Sequence, residues 1–185
     1  LKEYIIKYRP FLQFLGVFLI SYLVLIVIYQ LYLGQFDLNK YEVDGFTDLV
    51  ARQTKTILTL FGYTVELYPS ANDPSVIVEV DGTRIVRVIE GCNAISVMIL
   101  FVAFILAFSK EFVKTFSYIV VGLLIIHVLN VLRIALLTIG IIKIPEYKHI
   151  MHAVIFPLVI YGIVFLLWIF WVTKFINNDS KSLQT

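Results

Sequence analysis

An all-α polytopic membrane protein is the fold class this sequence predicts: a bundle of four transmembrane helices with a small extracytoplasmic insertion, itself an amphipathic helix plus a β-hairpin. Three observations predict it. Of 185 residues, 60% are hydrophobic and 15% charged, and mean hydropathy is +0.91; a soluble domain is about half apolar and about a quarter charged. The apolar residues gather into four runs, and a helix needs roughly 20 residues to cross the hydrocarbon layer. Between the first two runs lies a polar stretch with its own helix and strand signals. An ordinary soluble enzyme, a disordered segment and a nucleic-acid-binding domain are excluded. A net charge of +2 is too small to point to a polyanionic partner. The lone cysteine, Cys92, excludes an intramolecular disulfide and a multi-cysteine zinc site.

The first run, Phe11 to Leu33, follows Lys2, Lys7, Arg9 and Pro10. A basic flank before apolar residues also describes a signal peptide. This run is too long for an h-region and ends without a small-residue cleavage site, so a retained membrane helix is expected. The second run, Ala94 to Phe108, is short unless Cys92 and Asn93 form its first turn. The third, Phe116 to Ile142, is interrupted by His127, Asn130 and Arg133. The fourth, Val154 to Val172, closes with Trp168, Trp171 and Lys174, an interfacial end. Basic residues at the N-terminus, at Lys110 and Lys114, and at Lys174 and Lys181 place both termini in the cytoplasm; Lys143 and Lys148 are exceptions.

Residues 34–91 then lie outside, with nine acidic and five basic residues. Phe46, Leu49, Val50, Ile57, Leu58 and Phe61 recur near helical spacing with polar residues between them, which predicts the amphipathic helix. Strand-like residues flank Asp81-Gly82, from Val76 to Val80 and from Thr83 to Ile89, a strong hairpin signal. The chain divides into 1–33 (first helix), 34–91 (insertion), 92–174 (membrane core of three helices) and 175–185 (a polar tail, expected to fray).

Charge within a bilayer costs about 2.5–3.5 kcal/mol on insertion scales, so Arg133 needs a reason. It follows Phe116 by 17 residues, about 25 Å along a helix at ~1.5 Å per residue, in the outer half of the membrane. A snorkelling or interhelical arginine is one reading. Outward snorkelling opposes the N-terminal tilt of helical side chains, which favours a polar pocket. Cys92 falls at the outer end of the second helix. Alone it reads as a small buried hydrophobe; near the unpaired N–H groups of a helix start it reads as a nucleophile. Gly91 leaves room for a substrate backbone, and Glu90 either positions a neighbour or caps the helix.

His152 opens the last helix at the same level, with His149 as its rival. His127 reads as a packing or hydrogen-bonding residue. Asn130, three residues before Arg133, either orients the guanidinium or makes an ordinary interhelical contact. A cysteine, an arginine and a histidine from three helices at one depth supply a nucleophile, a positive group for an oxyanion and a general acid or base. Three histidines without nearby paired carboxylates make a poor metal set, so neither a metal nor a cofactor is expected.

Glu90-Gly-Cys-Asn93, Asn130-Val-Leu-Arg133 and His152 resemble the exosortase/archaeosortase family. With Tyr161-Gly-Ile-Val-Phe-Leu-Leu-Trp168 in the last helix, the compact chain looks most like its short exosortase F branch. The resemblance covers roughly residues 88–174. It implies a membrane-embedded cysteine protease or transpeptidase of the bacterial inner membrane, with its active site at the extracytoplasmic face. Its substrates would be exported proteins whose C-terminal sorting signal joins a recognition motif, a transmembrane helix and a basic tail. The lipid bilayer is its other partner, no nucleic acid is expected, and there is room for a small membrane accessory protein. It assigns Cys92 as nucleophile, Arg133 as electrostatic partner and His152 as acid/base, supported by Asn130, Glu90, Asn93 and His149. Many members have about twice as many membrane helices, and the family's common Cys-Ser-Gly is Cys92-Asn-Ala94 here. Two other readings stand beside it: a non-enzymatic assembly factor or scaffold, and a transporter subunit using Arg133 and His127.

Overall fold

The computed structural model describes residues 2–37, 40–109 and 111–176. Helix α1 spans Lys2–Leu33. The insertion holds α2, Gly45–Leu60, and three strands: β1 Val65–Pro69, β2 Ser75–Val80 and β3 Thr83–Ile89. Then come α3, Ile95–Ala107, and α4, Phe112–Lys143. A one-turn helix, Lys148–Ile150, and a π-helical segment, Met151–Ile155, lead into α5, Phe156–Trp171, which ends in a second π-helical turn, Val172–Ile176.

Among the described residues, three stretches are long and apolar enough to cross a membrane: Tyr8–Leu33, Phe112–Lys143 and Pro145–Lys174. The remaining apolar helix, α3, has 13 residues. It spans roughly 20 Å at ~1.5 Å per residue, short of the ~30 Å hydrocarbon core. The tail beyond residue 176, with Lys181, and the loop residue Lys110 lie outside the described residues.

Helix α2 follows from its sequence. The side chain of Asp44 accepts from the backbone N–H groups of Phe46 and Thr47 at 3.1 and 3.0 Å, a helix N-cap. Its buried face is Thr47, Val50, Ala51, Thr54 and Leu58. The Asp81-Gly82 turn has positive φ at both residues, 50° and 78°, as a two-residue primed hairpin turn requires. β2 pairs antiparallel with β3, with a bulge at Val78/Glu79, and also with β1, giving the order β1-β2-β3. The third strand, Val65–Pro69, adds to the predicted hairpin.

Two cores meet on α4. Val131, Ile134 and Ala135 pack with α2 and the sheet. Ile126 packs with Ala94, Phe101 and Ile105 around α3 and with Val164 and Trp171 of α5. Gly122 makes the second core possible: a Cβ there would meet Phe101 Cζ at 2.3 Å. Tyr118 Oη donates to the Leu167 carbonyl at 2.6 Å, tying α4 to α5. Helix α4 is thereby fixed from both sides, and its Asn130 and Arg133 sit where the two cores join.

Candidate active site

A half-open cavity of about 790 Å³ is bounded by β3, the C-terminal part of α4 and the segment leading into α5. Cys92, Arg133, His149 and His152 all line it. The four groups come from three separate stretches of chain.

Cys92 is held differently from the expectation. It does not lie in the first turn of α3 but ends a separate 3₁₀ turn, Glu90–Cys92. Ala94 follows in the left-handed region at φ 65°, which breaks the helical path between cysteine and helix. The cap of α3 belongs to Asn93, whose Oδ1 accepts from the Ile95 N–H at 2.9 Å; Glu90 does not fill that role. Asn93 is buried and its Nδ2 donates to Thr47 Oγ1 at 3.1 Å and Tyr29 Oη at 3.3 Å. It thus pins the cysteine turn to α1 and α2 rather than entering the cavity.

Helix α4 holds the same turn from the other side. Asn130, fully buried, donates from Nδ2 to the Cys92 carbonyl oxygen at 2.8 Å. Its Oδ1 accepts from Arg133 Nη1 at 3.4 Å. One amide therefore links the cysteine turn to the arginine. The Arg133 Nε is buried with no partner among the described residues, so the guanidinium keeps donor capacity beside the cavity. His127 does not line the cavity: it bonds Gln53 Oε1 of α2 through Nε2 at 2.7 Å and lies on the Phe46 ring.

His152 lies in the π-helical segment and His149 in the single turn before it; both are exposed. Pro157 near the start of α5 lacks the N–H that a regular helix uses, and the wider π turn precedes it. Met151 between the histidines rests on α4: a Cβ on Gly140 would meet its sulfur at 2.8 Å. Glu90 takes no part in this cavity. It lines a second one, of about 780 Å³, with Gln30, Asp37, Glu42 and Asp44.

The transmembrane exosortase family model (Exosortase_EpsH) matches residues 11–174, from α1 through α5. The chain belongs to this family. No curated protein and no solved structure matches it. The family match takes in the whole insertion as well as the stretches that carry Cys92, Arg133 and the two histidines.

The sequence reading of this exosortase passed over Arg84, Arg87 and Lys148, which also line the Cys92 cavity. The signal was available, since the hairpin runs directly into the cysteine turn. Arg87 pairs with Asp73. Hydrogen bonds from Ser70 and Ser75, with Arg87 nearby, hold the Asp73 carboxyl below the ordinary aspartate range. That corner braces the loop between β1 and β2 against β3.

Proposed function

We propose that this exosortase is a cysteine protease or transpeptidase that cleaves C-terminal sorting signals of exported proteins through a thioacyl intermediate. The observation that carries the reading is the single cavity lined by Cys92, Arg133, His149 and His152. His152 takes the thiol proton, and the Cys92 thiolate attacks the scissile carbonyl. An S–C bond forms and the carbonyl oxygen becomes an oxyanion, stabilised by Arg133. The tetrahedral intermediate collapses, the C–N bond breaks, and His152 gives its proton to the leaving amine. An acceptor then attacks the thioester, losing its proton to His152, and the thiolate leaves. That acceptor is water, an amine or a glycan hydroxyl.

In this reading the chain lies in the bacterial inner membrane with both termini cytoplasmic and the Cys92 cavity on the extracytoplasmic side. The apolar helices form a four-span bundle with α3 as its short member, and the likeness of Tyr161–Trp168 in the C-terminal helix supports the exosortase F branch. The substrate's transmembrane helix docks laterally, and a small membrane accessory protein is accommodated beside the bundle. The test is processing of a co-expressed tailed substrate. Cys92→Ala is expected to abolish it while the protein still accumulates in the membrane. Unchanged processing by Cys92→Ala would overturn the reading in favour of a scaffold.

A further inference from the structure

We propose that the substrate is held by strand addition: the extended segment preceding its membrane helix pairs as a parallel strand along the free edge of β3. This rests on the peptidase reading above and names how that site grips its substrate. β3 ends the sheet order, and among the described residues no strand pairs with its far side. Six consecutive residues, Arg84 to Ile89, line the Cys92 cavity. Successive side chains in a strand point to opposite faces, so a cavity that meets all six reaches the strand's edge, besides the sheet face that carries Ile77.

The hydrogen bonds of β2 fix which β3 groups are available. Ser75 donates its N–H to the Asp73 carbonyl and accepts from the Ser70 N–H at its own carbonyl, at 2.8 and 2.9 Å. Both groups therefore point away from β3. Antiparallel pairs alternate between bonded and non-bonded. Ser75 pairs with Ile89, Val76 with Val88, Ile77 with Arg87 and Val78 with Val86. Val88 and Val86 thus bond to β2, while the N–H and C=O of Arg87 and the N–H of Ile89 face outward; the Ile89 carbonyl, at the N-cap of the Glu90–Cys92 turn, belongs to that turn. β3 contains no proline, so none of its donors is missing; the opposite edge strand, β1, ends in Pro69.

The direction follows from connectivity. β3 leads through Cys92 into the apolar helix α3. A substrate segment entering its own membrane helix runs the same way, so the added strand is parallel. Five residue steps from Arg84 to Ile89 span about 16 Å at ~3.3 Å per residue, enough to place a strand of about five residues upstream of the scissile bond.

The test uses the full chain and a library of reporters. Each carries a folded domain, about six randomised residues, an apolar helix of about 20 residues and a basic tail. Members forming an adduct on Cys92 are retained. In a Cys92→Ala background, Arg87→Cys and Ile89→Cys are then cross-linked to single cysteines scanned along a retained reporter. Cross-linking is expected at alternate reporter positions, with the favoured position two residues nearer the tail for Ile89→Cys than for Arg87→Cys. Flat yields, no cross-links or a shift away from the tail would overturn strand addition while leaving the peptidase reading intact. If no reporter forms an adduct on Cys92, the peptidase reading fails and this inference falls with it.

Discussion

The Glu90–Cys92 turn stands between two cavities of nearly equal volume, about 790 and 780 Å³. The Cys92 side is lined by Arg84, Arg87, Arg133 and Lys148 against the single carboxylate of Glu146, with two histidines. The Glu90 side is lined by Asp37, Glu42, Asp44 and Glu90, with no basic residue among the described ones. Volume does not separate them; charge does. A thiolate and an oxyanion are both favoured by nearby positive groups and disfavoured by carboxylates. Only the first cavity suits acyl transfer. Two residues of separation in sequence put Glu90 and Cys92 into opposite electrostatic settings.

After loss of the nucleophile itself, the largest effect is expected at the acid/base. His152→Ala should lower processing by about 10²–10⁴-fold, the usual range for positioned proton transfer, whereas His149→Ala should lower it only a few-fold. Initial rates of substrate conversion decide this, and the reverse order would move the proton-transfer role to His149. Arg133→Ala should cost about 10²–10³-fold, the range for a lost oxyanion donor. Arg133→Lys should recover part of the loss, because charge returns without the guanidinium fork. On the other side of the turn, Glu90→Gln should leave the rate near wild type; a loss as deep as that of Arg133→Ala would erase the distinction between the two cavities.

Smaller effects should appear in stability. Gly122→Ala drives a Cβ into the Phe101 ring at 2.3 Å and should destabilise by about 1–3 kcal/mol. Gly140→Ala meets the adaptable Met151 side chain instead and should cost about 1 kcal/mol or less. Thermal unfolding in detergent micelles compares the two. The smallest effect concerns Asp73. Its folded value is lowered, so its contribution is fully present above the ordinary value of 3.8 and is lost as pH falls through the lower folded value. Asp73→Asn should remove that acid dependence, read by amide exchange across β2 and β3.

Much of this was legible in the residues. Strand-like residues on both sides of Asp81-Gly82 marked the β2–β3 hairpin, and apolar spacing from Phe46 to Phe61 marked α2. β1 escaped notice because Val65-Glu-Leu-Tyr-Pro69 is short and ends in a strand-disfavouring proline; its pairing with β2 is what makes it a strand. The cysteine's local setting was hidden for a different reason. A left-handed residue is normally announced by glycine or asparagine, and here Ala94 adopts φ 65°. Asn93 looked like a neighbour of the chemistry, but its three hydrogen bonds hold α1, α2 and α3 together. Asn130 had two readings in sequence. Its contacts with Arg133 and with the Cys92 carbonyl make it the brace between them, a long-range contact that no local pattern encodes.

The most direct measurement is intact-mass and peptide mapping of the chain trapped with a tailed substrate at early times. The account predicts a substrate acyl group on Cys92 through a hydroxylamine-sensitive thioester, present in wild type and absent in Cys92→Ala. Processing that proceeds with no such adduct, and that survives Cys92→Ala, would contradict it.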